Sequence, residues 1–327
     1  MPMIGSQTQH SKYGRCNDEA QGNLRPTREK SVALMPSEVT QSNAADPPWQ
    51  WPWWRTAPGE GITLAWILLI HLTAVVGLIL YPLPGWRVFL GAYALAWIGG
   101  LGTTVCYHRA LAHRALRLHP LVEKVLIFFA LYNGSGAPLS WTANHRRHHA
   151  TADTRQDISS PREGGFWWAH LRWLWQAGQT APAQYCPDLP EQLFRVWTAL
   201  QVPILALSFA LGAVVDWAAF FWLGAIRLVF ALHGQCFVNS ISHLRAGSPH
   251  GEDSSRNVPW LALWHGLQGE NWHRNHHARP GLVRLGWTLS QVDLGWWVIL
   301  GLERLGLATA VRKPRGLHPE ATATDVQ

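Results

Sequence analysis

Four long apolar runs divide the chain into alternating hydrophobic and polar segments. The runs cover residues 61–81, 86–107, 194–211 and 217–238, and each is long enough for a helix that crosses a bilayer core. The Pro-Leu-Pro-Gly sequence at 82–85 ends the first run sharply, and only a short connection separates the last two. We therefore predict an all-α integral membrane protein in which four transmembrane helices form two antiparallel hairpins.

Shorter apolar segments predict further helices that do not cross the membrane. Residues 121–131 are too few to span and precede Asn-Gly-Ser-Gly-Ala-Pro at 133–138, which indicates a segment that dips into the membrane or lies at its interface. Residues 166–175 are aromatic and amphipathic, so we expect them along the interface. Residues 258–268 and 285–308 have the pattern of amphipathic interfacial or capping helices.

Both ends of the chain are polar. Residues 1–55 are rich in Pro, Ser, Gln and Asn and predict a disordered tail, followed by one membrane domain over 56–308 and a second disordered tail over 309–327. The first 43 residues contain no apolar stretch of the kind found in a secretory signal. Within the first tail, a cluster of four tryptophans indicates an interfacial anchor, the alternative being a loop that packs on its own protein. These tryptophans are Trp49, Trp51, Trp53 and Trp54.

The net charge of +7 and the 21 tryptophans favour contact with a lipid bilayer over nucleic acid. The arginines flank the apolar runs and do not form a stripe interleaved with aromatic residues. The cations concentrate in the connections after the second and fourth runs, at Arg109, Arg114, Arg117, Lys124, Arg146, Arg147, Arg245 and Arg256. Because positive charge favours the cytoplasmic side, both termini and these connections are predicted to be cytoplasmic.

Histidines recur in three motifs beside the apolar runs. His108 and His113 form H-x-x-x-x-H, the triplets His145, His148, His149 and His273, His276, His277 each form H-x-x-H-H, and His243 follows the fourth run. On a helix, positions i, i+3 and i+4 share a face, so we expect each H-x-x-H-H motif to aim three imidazoles at one point. The spacing of five is a looser match, which the end of a helix could accommodate.

This number of imidazoles exceeds what one metal ion accepts and therefore indicates two. The four cysteines are widely spaced without a C-x-x-C pair, which argues against a cysteine-based zinc or redox site. Mainly nitrogen ligands favour O2 chemistry at iron over hydrolysis at zinc. The histidines outside the motifs are expected not to bind metal; they are His10, His71, His119, His170, His250, His265 and His318.

Five stretches carry a resemblance to a known family: "YHRALAHR" (107–114), "WTANHRRHH" (141–149), "DTRQDISSPREGGFWWAH" (153–170), "FVNSISH" (237–243) and "GENWHRNHH" (269–277). The chain resembles the membrane fatty acyl desaturases, in their stearoyl-CoA and bacterial delta-9 acyl desaturase branch. The resemblance implies a cytoplasmic cap with two iron ions, ligated by the nine histidines named above and by Asn239 through water. It also implies an enzyme that uses O2 and two electrons to insert a cis double bond, most often delta-9, into a saturated acyl chain.

Six further residues are candidates for supporting the metal ligands or contacting substrate: Asp153, Asp157, Glu270, Trp141, Arg155 and Arg227. Metal-bound histidines commonly donate their other N–H to a carboxylate, which suits the three acidic residues. The alternative is that these are solvated loop carboxylates. Arg227 and His233 lie inside the fourth run, where a polar contact to the site competes with a buried structural network.

The substrate headgroup and the electron donor stay open at this stage. Acyl-CoA enzymes of the family carry a basic residue where this chain has Ala143, and an acidic one where it has Asn144, so acyl-lipid and acyl-carrier-protein substrates compete with acyl-CoA. The chain contains no His-Pro-Gly-Gly haem motif, so we expect a separate donor, a ferredoxin or a cytochrome b5-like protein. The arginine-rich, lysine-poor composition is typical of a bacterium with a GC-rich genome, so the membrane is expected to be a bacterial inner membrane.

Two other functions compete with desaturation. The same scaffold could hydroxylate or ketolate a lipid, or the chain could be a membrane protein that binds or transports metal without catalysis. Transport predicts polar ligands along a path through the spans. The motifs instead lie at the ends of the apolar runs, which favours an enzyme.

Overall fold

The computed structural model describes residues 46–244 and 253–314. In chain order its elements are a 3-10 turn (Pro48–Gln50), α1 (Gly61–Leu80), α2 (Trp86–Leu101), a π-helical segment (Gly102–Ala112), β1 (Arg117–Leu118), α3 (Pro120–Tyr132), α4 (Pro138–Thr151), α5 (Pro161–Trp167), a second π-helical segment (Trp168–Arg172), α6 (Trp173–Gln176), α7 (Pro182–Tyr185), α8 (Glu191–Val215), α9 (Trp217–Ala219), a third π-helical segment (Phe220–Ile226), α10 (Arg227–Ser240), α11 (Leu261–Trp264), α12 (His273–Ala278), α13 (Leu294–Arg304) and β2 (Ala308–Thr309). Arg245, His10, His250 and His318 lie outside the described residues.

Four helices of the described residues are long and apolar enough to cross a membrane, which confirms the predicted number. We call them span one (Gly61–Leu80), span two (Trp86–Ala112), span three (Glu191–Val215) and span four (Trp217–Ser240). Each covers the predicted run and extends at one or both ends, except that span one ends at Leu80. Span two is extended at its C-terminal end, because its π-helical segment carries the chain through His108 to Ala112.

The remaining helices cover the ends of the spans and are shorter than predicted in two places. Within 258–268 only Leu261–Trp264 is helical, because Gly266, Leu267 and Gly269 have positive φ angles that end the helix. Within 285–308 the helix begins only at Leu294, where the side chain of Asp293 accepts the N–H of Trp296.

The packed part of the protein extends into both predicted tails. The ring of Trp49 lies edge-on against Trp168, and the indole N–H of Trp175 donates to the carbonyl of Trp53 at 2.9 Å. The segment 46–55 is therefore a loop that packs on its own protein, and its assignment to the tail was wrong. At the other end, Thr309 pairs with Arg117 in a two-stranded antiparallel sheet. The regular structure therefore includes the first residue of the predicted second tail.

The largest buried cluster lies where span two meets α3, α4 and α13. It includes Tyr107, Ile127, Leu131 and Ile299, all at most 1% exposed. This core fixes the π-helical end of span two against α4, which places the first two histidine motifs side by side.

Candidate metal centre

A π-helical turn aligns the two histidines of the first motif. The N–H of His113 donates to the carbonyl of His108 at 3.1 Å, a hydrogen bond between residues five apart. Since π-helical turns close between residues i and i+5, this geometry brings the two imidazoles to one side of the chain, edge to face with ring centroids 5.0 Å apart. A spacing of five residues does not match the turn of an α-helix, but it matches the hydrogen-bonded turn of the π-helix that the chain forms here.

The histidines form two clusters in which every candidate ligand atom lies within 4.8 Å of the others. Cluster A consists of His108, His113, His145 and His276, and cluster B of His148, His243, His273 and His277. The expectation that each H-x-x-H-H motif serves one point was wrong. Because a helix rises about 1.5 Å per residue, positions i and i+3 lie far enough apart along the axis to reach different clusters.

His149 lies between the two clusters. Its Nε2 is 2.9 Å from Nε2 of His276 in cluster A, and its ring stacks on His277 of cluster B with a centroid distance of 4.5 Å. All nine histidines that the sequence singled out therefore meet in one region of the cap.

The Nε2 atoms face one another within each cluster. In cluster A the distances are 3.0 Å between His108 and His276 and 2.8 Å between His113 and His145. In cluster B they are 2.9 Å between His243 and His273 and 3.3 Å between His148 and His277. Two nitrogens at about 2.1 Å from one ion and at a right angle to it lie about 3.0 Å apart, so these spacings fit shared metal coordination.

Carboxylates hold the opposite nitrogen of several imidazoles. Nδ1 of His108 lies 2.9 Å from Oε1 of Glu270, and Nδ1 of His148 lies 2.9 Å from Oδ2 of Asp157. Nδ1 of His243 is 3.8 Å from Asp153. A histidine that donates from Nδ1 to a carboxylate keeps the lone pair on Nε2, which is the form that binds a metal ion.

The electrostatics of the cap favour neutral imidazoles. Burial, reinforced by neighbouring histidines, lowers the pKa well below the usual value at His113, His145, His149, His273, His276 and His277. Burial also lowers the pKa of His148, but the carboxylate of Asp157 outweighs it and the net shift is upward. Burial raises the pKa of Glu270, yet the charge of His108 outweighs it and lowers the value to about 2.

The family assignment follows from comparison with known proteins. The fatty acid desaturase family model matches residues 84–288, which include every histidine of the two clusters. The chain belongs to the fatty acid desaturase family. It is 34% identical to delta-9 acyl-lipid desaturase 1 of Arabidopsis thaliana over 254 residues, which cover 76% of this chain and 81% of the relative.

Two other relatives have different substrates in their names. The chain is 33% identical to sn-1 stearoyl-lipid 9-desaturase of Synechocystis sp. over 268 residues, which cover 77% of this chain and 82% of the relative. It is 32% identical to icosanoyl-CoA 5-desaturase of Limnanthes douglasii over 295 residues, which cover 85% of this chain and 78% of the relative. Four apolar helices and membrane desaturase relatives identify an integral membrane protein.

Two of the remaining candidates lie close to the histidines of this desaturase. The ring of Trp141 stacks on His145 at a centroid distance of 5.0 Å and an angle of 13°. Asn239 lies half-buried on α10, one helical turn before His243, and no hydrogen bond joins its side chain to a described residue. The acidic candidates are the carboxylates described above.

The two arginine candidates do not reach the clusters. Arg227 is 2% exposed and donates to Oδ1 of Asn133, to the carbonyl of Tyr132 and to the carbonyl of Leu223, so it fastens span four to the end of α3. Arg155 is exposed and lies 3.6 Å from Glu163. Of the two roles that the sequence allowed for Arg227, the structure therefore has the buried structural network.

Three supporting residues carried no recognised signal in the sequence. Thr104 donates its hydroxyl to Glu270, the hydroxyl of Ser254 contacts both His243 at 3.2 Å and Asp153 at 2.7 Å, and Asp253 lies 3.5 Å from Nδ1 of His277. Thr104 could have been found, because it lies four residues before His108 in a helix. Ser254 and Asp253 belong to a connecting segment whose path the sequence does not determine.

Three histidines outside the motifs form a separate chain of hydrogen bonds. Nε2 of His71 lies 3.1 Å from Nε2 of His233, and Nδ1 of His233 lies 2.8 Å from Nε2 of His170. Nδ1 of His170 contacts the hydroxyl of Ser240 at 2.9 Å. Each nitrogen has one partner and the three rings do not converge on a point, so this arrangement links helices and is not a metal site.

Proposed function

We propose that this protein is an O2-dependent acyl desaturase that inserts a cis double bond at the delta-9 position of a saturated acyl chain. The observation that carries the proposal is the pair of four-histidine clusters at the ends of the spans. Two relatives are named for the 9 position, which supports this position of the double bond. A third relative is named as a 5-desaturase, so the position has to be measured directly.

The proposed metal ligands are the nine histidines, with Asn239 reaching the ion of cluster B through water. Two iron ions bound there would supply the one-electron chemistry with O2 that removal of hydrogen from a methylene group requires. The chain's own contribution is to favour the neutral form of most of these imidazoles by burial and to orient His108, His148 and His243 through Glu270, Asp157 and Asp153. Each turnover takes up one O2, two electrons and two protons and releases two water molecules.

We propose an acyl-lipid as the substrate. The position that would carry a cation for a CoA headgroup is Ala143, which is completely buried, and the neighbouring Asn144 is uncharged. Relatives that act on acyl-lipids agree with this choice. The proposal would be contradicted if the new double bond formed while the acyl chain was still attached to CoA or to an acyl carrier protein.

We further propose that the clusters and both termini face the cytoplasm, in a bacterial inner membrane, and that a separate acidic electron carrier binds there. Exposed cations lie directly beside the motifs, at Arg114 after His113 and at Arg274 and Arg279 around His276. Complementary charge of this kind accelerates association with an acidic ferredoxin or cytochrome b5-like protein.

Expression in a desaturase-deficient bacterial host tests the proposal. Mass spectrometry of double-bond positions in the extracted phospholipids should find delta-9 monounsaturated chains with the wild type and none with His148→Ala. The matched control is His119→Asn, which changes an exposed histidine outside the motifs and keeps a side chain that can cap α3. Hydroxylated or keto products would identify the rival oxygenase, and product from His148→Ala would overturn the ligand assignment.

A further inference from the structure

The two clusters differ in the charges that surround them. In cluster B, three carboxylates lie beside imidazole Nδ1 atoms: Asp157 at 2.9 Å from His148, Asp253 at 3.5 Å from His277 and Asp153 at 3.8 Å from His243. In cluster A, Glu270 beside His108 is the one such carboxylate among the described residues. No hydrogen bond from a described residue reaches Nδ1 of the other cluster A histidines, His113, His145 and His276.

The carboxylates of cluster B are also held firmly. Asp153 and Asp157 are 2% and 3% exposed. Asp153 accepts the N–H and the hydroxyl of Ser254, and Asp157 accepts the backbone N–H groups of Asp153 and Ser159. Because buried charges are screened by water and salt less than exposed ones, both carboxylates attract an ion in cluster B more strongly than surface carboxylates would.

Cations oppose a metal ion more strongly on the side of cluster A. The guanidinium of Arg146 donates to the carbonyls of Leu111 and Ala112, so its charge lies against the turn that carries His113. Asp188 neutralises only part of this charge, because it is shared between Arg146 and Arg114. On the side of cluster B, Arg162 lies 4.0 Å from Asp153 and offsets its negative charge. The negative charges of Asp157 and Asp253 then remain in excess over this cation.

From this asymmetry we infer that cluster B holds its metal ion more tightly than cluster A, so that the protein loses its two ions in separate steps. The inference rests on the proposed two-metal function. Imidazoles that donate to carboxylates are more basic ligands, and fixed negative charge attracts the cation directly. His149 turns its Nε2 towards cluster A, 2.9 Å from Nε2 of His276, and only its ring face contacts His277 of cluster B; the inference is that the carboxylates of cluster B outweigh this additional imidazole.

Stepwise chelation of the metal-loaded protein tests the inference. The detergent-solubilised full chain is loaded anaerobically with ferrous iron, dialysed against increasing EDTA, and measured for iron per chain by mass spectrometry. We expect the second ion to leave at an EDTA concentration at least tenfold higher than the first, with a plateau at one iron per chain. Loss of both ions in a single step would overturn the inference.

Variants assign the steps to the clusters. Asp253→Asn and Asp157→Asn should weaken binding of the tighter ion and so shorten or remove the plateau. Glu270→Gln should lower only the EDTA concentration at which the first ion leaves. Asp253 is 45% exposed, so its substitution leaves folding intact and keeps the test decisive if Asp157→Asn fails to fold. If Glu270→Gln shifted the second loss and Asp253→Asn had no effect, the tighter ion would be the one in cluster A. That result would refute the inference.

The outcome for the proposed function is read separately. Fewer than two irons per chain at saturation would overturn the two-metal proposal on which this inference rests. Two irons of equal affinity would leave that proposal standing and refute only the asymmetry.

Discussion

His71 and His233 join the middle of span one to span four through Nε2 atoms that lie 3.1 Å apart. Nδ1 of His71 lies 2.7 Å from the carbonyl of Ile67, which can only accept, so Nδ1 carries the proton and Nε2 is an acceptor. Nε2 of His233 must then donate, which leaves its Nδ1 to accept from Nε2 of His170. The carbonyl of Ile67 thus sets the tautomer of His71 and, through it, that of His233.

Removing the central member of this chain should destabilise the protein without displacing metal. His233→Leu leaves Nε2 of His71 and the Nε2–H of His170 without partners among apolar neighbours, at a cost of about 1–3 kcal/mol for each. Thermal unfolding in detergent should report the loss, and iron per chain should stay at the wild-type value. The double variant with His71→Leu should lose less than the sum of the single changes, because the two residues interact directly. Strict additivity would contradict the contact.

The stability of the protein should fall in mild acid because of His170. Burial, followed by the charge of His233, lowers the pKa of His170 to about 4, whereas an unfolded histidine titrates near about 6.5. Between these values the unfolded state binds more protons, so this contribution to stability is complete above about pH 6.5 and is lost progressively down to about pH 4.

Comparison with His170→Gln isolates this effect from the other titrating groups. Above pH 7 the difference in unfolding free energy between wild type and variant should be constant. Between about pH 6.5 and 4 it should shrink, because glutamine does not titrate. A difference that stays constant over the whole range would contradict the assignment.

The buried pair of Arg109 and Asp293 should be essential for folding. Both side chains are 1% exposed and lie 3.0 Å apart, and Arg109 also donates to the carbonyl of Gln268. Arg109→Met leaves a buried carboxylate without its cation, which costs about 3–5 kcal/mol. The matched control is Lys313→Met, which breaks an exposed pair with Glu303 and should cost no more than about 1 kcal/mol. Chemical denaturation compares the two, and equal costs would refute the role of burial.

Gly102 should not tolerate a side chain. A Cβ at this position would meet the carbonyl of Leu126 and the backbone nitrogen of Ala130, neither of which can move aside easily. Gly102→Ala should therefore push α3 away from span two, lower the melting temperature and reduce iron per chain, since His108 follows in the same π-helical segment. Gly91→Ala is the control, because its Cβ would meet only Leu223 at 3.6 Å. Similar melting temperatures for both variants would contradict the close approach.

Much of the chemistry was accessible from the sequence because it is encoded locally. A run of apolar residues predicts a span wherever it occurs, and the repeated H-x-x-H-H motif predicts candidate metal ligands. The division of each motif between two clusters was not accessible. It depends on how α4 and α12 lie relative to each other, and so on side chains far apart in the chain.

The hydrogen-bonded chain of His71, His233 and His170 illustrates the limit most clearly. These residues belong to three separate elements, and no local pattern distinguishes them from ordinary buried histidines. The sequence by itself determined four membrane helices and nine candidate ligands, since these follow from composition and short-range spacing. Only the tertiary structure decided which imidazoles form each cluster and which carboxylates lie beside them, because packing between distant segments sets those distances.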